Sequence, residues 1–225
     1  MNNNTGNGIS GFGEHVEGYA IPVLNEREIR AAAGMLFLML FISVMVVILK
    51  QDFFLLKYAV SIFLVDIVIR VFINPRYAPF LVVGRWVVRN QVPEYVGAQQ
   101  KKFAWIIGVV LASVFFVHLI LLNAYSPITG IVCFVCLIFL FFEAAFGICL
   151  GCKMYSMVYR EKARYCPGEV CVAGERHDIQ RITGSQLAVV AGFIVLIILA
   201  APMLKEYYGQ APYDIFGIDS SGTHR

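Results

Sequence analysis

The densest chemistry in the chain is a set of four cysteines in two pairs, Cys149-Leu150-Gly151-Cys152 and Cys166-Pro167-Gly168-Glu169-Val170-Cys171. Two sulfurs three residues apart can close a small ring, so Cys149 and Cys152 can exchange thiol for disulfide. Cys166 and Cys171 could pass electrons or sulfane sulfur to them. The same four thiolates suit one tetrahedral zinc ion, since soft sulfur ligands at paired spacings are the usual structural zinc set. Inert packing is the bland alternative. It is favoured for Cys133 and Cys136, which lie inside an apolar run where cysteine serves as a small, lipid-compatible residue.

The elements that must position these thiols are membrane helices. Of the 225 residues, 59% are hydrophobic and 15% charged, an apolar excess that a water-soluble domain cannot hide. A net charge of +3 gives no basic nucleic-acid surface, so the partner that composition implies is the lipid bilayer. The expected fold is an all-α integral membrane protein, a helical bundle of about five transmembrane helices plus an interfacial amphipathic helix. Residues 1–26 read as a flexible cytoplasmic tail, 27–204 as the membrane domain and 205–225 as an outer tail. Spans are expected at 31–49, 53–73, 103–122, 128–150 and 187–204, each of bilayer-crossing length, with a cysteine-containing cytoplasmic loop at 151–186. The interfacial helix covers Phe80 to Asn90, where Arg85 and Arg89 are four apart beside Trp86.

Basic residues set the orientation, because cytoplasmic loops carry the excess of lysine and arginine. Arg70, Arg76, Arg85, Arg89, Lys101 and Lys102 surround the second connection, and Lys153, Arg160, Lys162, Arg164, Arg176 and Arg181 the fourth. Both are read as cytoplasmic. The amino terminus and the cysteines are then inside, the carboxyl terminus outside. In a reducing compartment a permanent disulfide is disfavoured, which leaves exchanging, sulfur-carrying or metal-bound thiols. A cysteine at a helix carboxyl end meets the negative end of the helix dipole, so a thiolate there needs compensation. Lys153, Arg85 or Arg89 could supply charge, and Gly147 or Gly151 could break the helix.

Several ionisable groups fall inside the spans. Asp66 and Glu143 each lie about seven residues from the same membrane face, roughly 10 Å deep at about 1.5 Å per residue. Arg70, four residues after Asp66, can pair with it or with Glu143. Glu143 can relay protons to thiol chemistry, but a continuous helix sets it nearly opposite Cys149, so contact requires a break near Gly147. His118 is expected to bond to a neighbouring helix.

The segments Asn74-Pro75-Arg76, Pro79-Phe80, Gly84-Arg85, Lys101-Lys102-Phe103-Ala104 and, above all, Ala145-Phe146-Gly147-Ile148-Cys149-Leu150-Gly151-Cys152-Lys153-Met154-Tyr155 carry a resemblance. They resemble a bacterial membrane family, domain of unknown function 4395 (DUF4395), over about Glu26 to Arg164. The resemblance implies a helical membrane domain and an inner-membrane location, with no substrate.

The functional expectation is a membrane thiol-redox or sulfur relay through Cys149, Cys152, Cys166 and Cys171, with Glu143 moving a proton and a thiol or sulfur-carrier protein as partner. The alternatives are a zinc-stabilised structural or partner-docking protein, with the same four cysteines as metal ligands, and a small transporter of a sulfur-containing anion using Arg70. Nothing marks a quinone, haem or nucleotide site.

Overall fold

The fold is given by a computed structural model that describes residues 12–16, 19, 21–150 and 182–214. A short strand β1 (Val23–Asn25) leads into α1 (Glu26–Lys50). The side chain of Asn25 accepts from the Arg27 N–H at 3.2 Å, and Glu26 and Glu28 place negative charge in the first turn, where the helix dipole favours it. After α2 (Phe54–Val68) and its π-helical continuation Ile69–Ile73 come a 3-10 turn (Pro75–Tyr77) and α3 (Pro79–Val88). Strand β2 (Tyr95–Gly97) then precedes α4 (Ala98–Phe116), which ends in a π turn, Val117–Leu121. Strand β3 (Ala124–Tyr125), α5 (Pro127–Phe141) with a third π turn (Phe142–Phe146), α6 (Gly184–Tyr208) and β4 (Tyr213–Asp214) complete the described elements.

The chain is an all-α membrane bundle. Among the described residues four helices, α1, α6 and the extended α4 and α5, are long and apolar enough to cross a bilayer. The extended α2 runs 20 residues from Phe54 to Ile73 but carries Lys57, Asp66 and Arg70 on a buried face. Those three sit among Leu56, Val60, Phe63 and Ile67 at helical spacing, so the charges point into protein and away from lipid. Helix α3 buries Leu81, Val82 and Arg85 and exposes Trp86 and Val87, the two-faced pattern of an interfacial helix. It packs closely on α1: a Cβ at Gly84 would lie 2.7 Å from the Glu28 carbonyl oxygen.

Each end of the bundle is stapled. At one end β1 and β2 pair antiparallel, Val23 opposite Gly97 and Asn25 opposite Tyr95, joining the starts of α1 and α4. At the far end β3 and β4 pair in parallel. There the buried Lys57 ammonium donates to Asn123 Oδ1 (2.7 Å) and to the Gln210 carbonyl (2.6 Å).

The fourth span, expected to run as helix to Leu150, stops earlier. Its helix ends at Phe146, and Gly147 takes φ +65°, a left-handed conformation that glycine adopts without a Cβ penalty. The last carbonyls are satisfied from beyond the break, Gly147 N–H bonding Glu143 O and Ile148 N–H bonding Phe142 O, both at 3.1 Å. Arg30 reaches over from α1 to donate to the Ala145 carbonyl at 3.2 Å.

Candidate functional site

The stapled end at β1 and β2 collects the charged side chains. Lys101, at the start of α4, is 1% exposed and sits between two carboxylates: its Nζ is 2.7 Å from Glu26 Oε2 and bonds Glu143 Oε1. Glu28 holds Arg85, with Nε 3.0 Å from Glu28 Oε2, and takes a second bond from the Asn25 side chain at 3.0 Å. Glu14 lies 3.7 Å from the same guanidinium. Burial pushes the Glu14 carboxyl above its ordinary value, with Arg85 and Arg76 pulling the other way. Asp66 and Arg70 form the third group, Nε to Oδ2 at 2.6 Å, and Asp66 Oδ1 accepts the Phe80 N–H at 2.9 Å, tying the first turn of α3 to α2. The Arg70 guanidinium also lies 5.5 Å from the Trp105 ring centroid, a cation–π distance.

Below these groups a cavity of about 80 Å³ opens between α1, α2, α4 and α5. Its walls are mostly apolar, with Ile67, Gly108, Leu111 and Leu140 among them, and its polar margin is Arg70, Glu143 and Cys149. The break at Gly147 is what brings Cys149 here: a helix continued through residue 149 would have turned its thiol away from Glu143, whereas after the left-handed residue both line one cavity. The break also takes Cys149 out of the helix, so the dipole of α5 does not run into the sulfur.

Of the four expected relay cysteines, Cys149 is described and half-buried, while Cys152, Cys166 and Cys171 lie outside the described residues. No disulfide joins the described cysteines, and no group of three or more metal-ligating side chains occurs among the described residues. Cys133 and Cys136 are buried on α5, as packing residues would be, but Cys136 also lines the cavity.

Glu28 and Glu14 hold Arg85, and Arg89 stacks 5.7 Å from the Trp86 ring centroid. Two expectations need correction. His118 bonds the Val114 carbonyl of its own helix at 3.0 Å instead of a neighbour, since a carbonyl four residues back along a helix is within reach of the ring. Arg70, Arg85 and Lys101, counted toward orientation, are buried ion-pair partners whose positions are set by carboxylates inside the fold. The sequence reading missed Glu26 and Glu28. Their signal was present: two acids in three residues directly precede an apolar span, where a helix amino terminus favours negative charge.

No curated protein and no solved structure is a match to this chain. A family model does match, over residues 24–160, which take in the charged end, the cavity and the Cys149-x-x-Cys152 segment, and since that is more than half of the chain, the protein belongs to the family described as Domain of unknown function (DUF4395).

Proposed function

We propose that this membrane protein is a thiol-redox or sulfur relay that works at the charged end of its bundle, with Cys149 and Cys152 as the exchanging pair and Cys166 and Cys171 as the pair that renews them. One observation supports this above the others: a half-buried thiol, freed from its helix by a glycine break, lines the same cavity as a carboxyl group and a guanidinium. In the exchange, the thiolate of one cysteine attacks a partner disulfide and forms a mixed disulfide, releasing one partner sulfur as a thiolate that takes up a proton. The neighbouring cysteine attacks the mixed disulfide and releases the second. Two electrons pass from the Cys149–Cys152 dithiol, which becomes a disulfide, to the partner, which becomes a dithiol. With a persulfide partner, the attacking thiolate takes the sulfane sulfur and the partner leaves as thiolate. Glu143 supplies a proton to the leaving sulfur. The charged end and the amino terminus face the cytoplasm in this reading.

The test is exchange with a disulfide-bonded peptide by the full chain in proteoliposomes, followed by acid trapping of thiols. Cys149→Ser and Cys152→Ser should each abolish it. Unchanged exchange in both variants, or four thiols protected by one bound zinc per chain, refutes the relay.

A further inference from the structure

We propose that Glu26, Lys101 and Glu143 form a proton-binding site, the two carboxyl groups holding one proton between them above the Cys149 cavity. The inference starts from charge and burial. Side-chain exposures of 1% for Glu26, 1% for Lys101 and 13% for Glu143 leave little water to screen the group. One ammonium faces two carboxylates, so the fully ionised set has an anion in excess in a place where an uncompensated charge is costly. Glu26 Oε1 is buried and no donor among the described residues reaches it.

Among the described residues no second cation forms an ion pair with either carboxylate. On α1, Glu28 is committed to Arg85 and Asn25, and the Arg30 guanidinium, which keeps its charge, donates to the Ala145 carbonyl. On α4, the Lys102 ammonium sits 5.0 Å from the Phe12 ring centroid. At the end of α2, Asp66 and Arg70 neutralise each other, and on α3 Arg85 faces Glu28 and Glu14. A proton is the smallest ligand that would satisfy the bare Glu26 oxygen and remove the repulsion between two carboxylates that share one ammonium.

Glu143 belongs both to this set and to the cavity wall that carries Cys149. The second half of the inference rests on the relay proposed above. When a thiolate displaces a partner sulfur, the O–H bond of the loaded site breaks and an S–H bond forms on the leaving group. The site is left as two carboxylates beside Lys101. It recovers its proton from the next thiol that ionises to attack, whose S–H bond breaks as the O–H bond reforms. Glu26 and Lys101 touch no reacting sulfur in this scheme. They are positioning residues that keep a proton available to Glu143.

Isotope-edited infrared spectroscopy of the full chain in proteoliposomes tests the site without any thiol substrate. Near neutral pH a protonated-carboxyl C=O band should be present, shift on ¹³C-glutamate labelling, and disappear in Glu26→Gln or Glu143→Gln. Glu143→Asp, which keeps a carboxyl group but shortens its reach to Lys101, should move the band and serves where a Gln variant fails to reconstitute. Absence of the band, or a band indifferent to all three substitutions, overturns the site. Coupling is read separately: Glu143→Gln should slow disulfide exchange about 100-fold, the lower range for loss of a positioned acid. An unaltered exchange rate overturns the coupling and leaves the infrared result standing by itself.

Discussion

Replacing Arg70 by methionine isolates the energetics of the charged end. Asp66 is fully buried and Arg70 is 4% exposed, so removing the guanidinium strands a carboxylate that water does not reach. One bond would remain to it, from the Phe80 N–H. Breaking a buried pair by deleting one partner costs about 3–5 kcal/mol. In a chain of this size each kcal/mol moves the melting midpoint by about 2–4 °C, so Arg70→Met should melt roughly 6–20 °C below wild type. The double substitution Asp66→Asn with Arg70→Met removes both charges and keeps an acceptor for Phe80, so it should recover most of that loss, since removing both partners leaves no stranded charge. The assay is thermal unfolding in detergent, followed by the reaction of a fluorogenic maleimide with Cys133 and Cys136, whose thiols are buried until the bundle opens, after the other cysteines have been blocked in the folded protein. The reasoning fails if the single variant melts within about 2 °C of wild type, taking the shift expected for 1 kcal/mol or less as the threshold. It fails equally if the double variant melts as low as the single.

Gly84→Val should separate α3 from α1, because the new Cβ would stand 2.7 Å from the Glu28 carbonyl and 3.2 Å from the Ala32 nitrogen, both backbone atoms that cannot swing aside. A loss of about 1–3 kcal/mol is expected from such overpacking, and a melting curve matching wild type would contradict it. Lys57→Met should loosen the far end, since Asn123 and the Gln210 carbonyl both lose their donor. Limited proteolysis should then cut after α6 faster than in wild type while thiol exchange at the other end is unaffected. Equal cleavage rates would show that the lysine clasp does not hold that segment.

Composition and the length of the apolar runs were enough to make this a helical membrane protein, because a chain with so few charges must turn its backbone hydrogen bonds inward and its side chains to lipid. The turns were legible too, at Asn74-Pro75 and at Ser126-Pro127, where proline and capping side chains set the start of a helix. Gly147 was readable as a place where the fourth span can break, since glycine tolerates a left-handed residue. That the break brings Cys149 and Glu143 to one cavity is a result of packing.

Tertiary structure alone decided which charges meet. Asp66 and Arg70 are neighbours on one helix, and their pairing is a local fact that spacing reveals. Glu26, Lys101 and Glu143 come from three helices spread over 118 residue numbers, and Glu28 and Arg85 from two. Periodicity can place each of them on a helix and near an end, but it carries no information about which helix stands beside which. For the same reason the basic residues read as markers of orientation proved in part to be the counterions of buried acids: a positive charge near a membrane edge has the same sequence signature whether it faces water or a carboxylate.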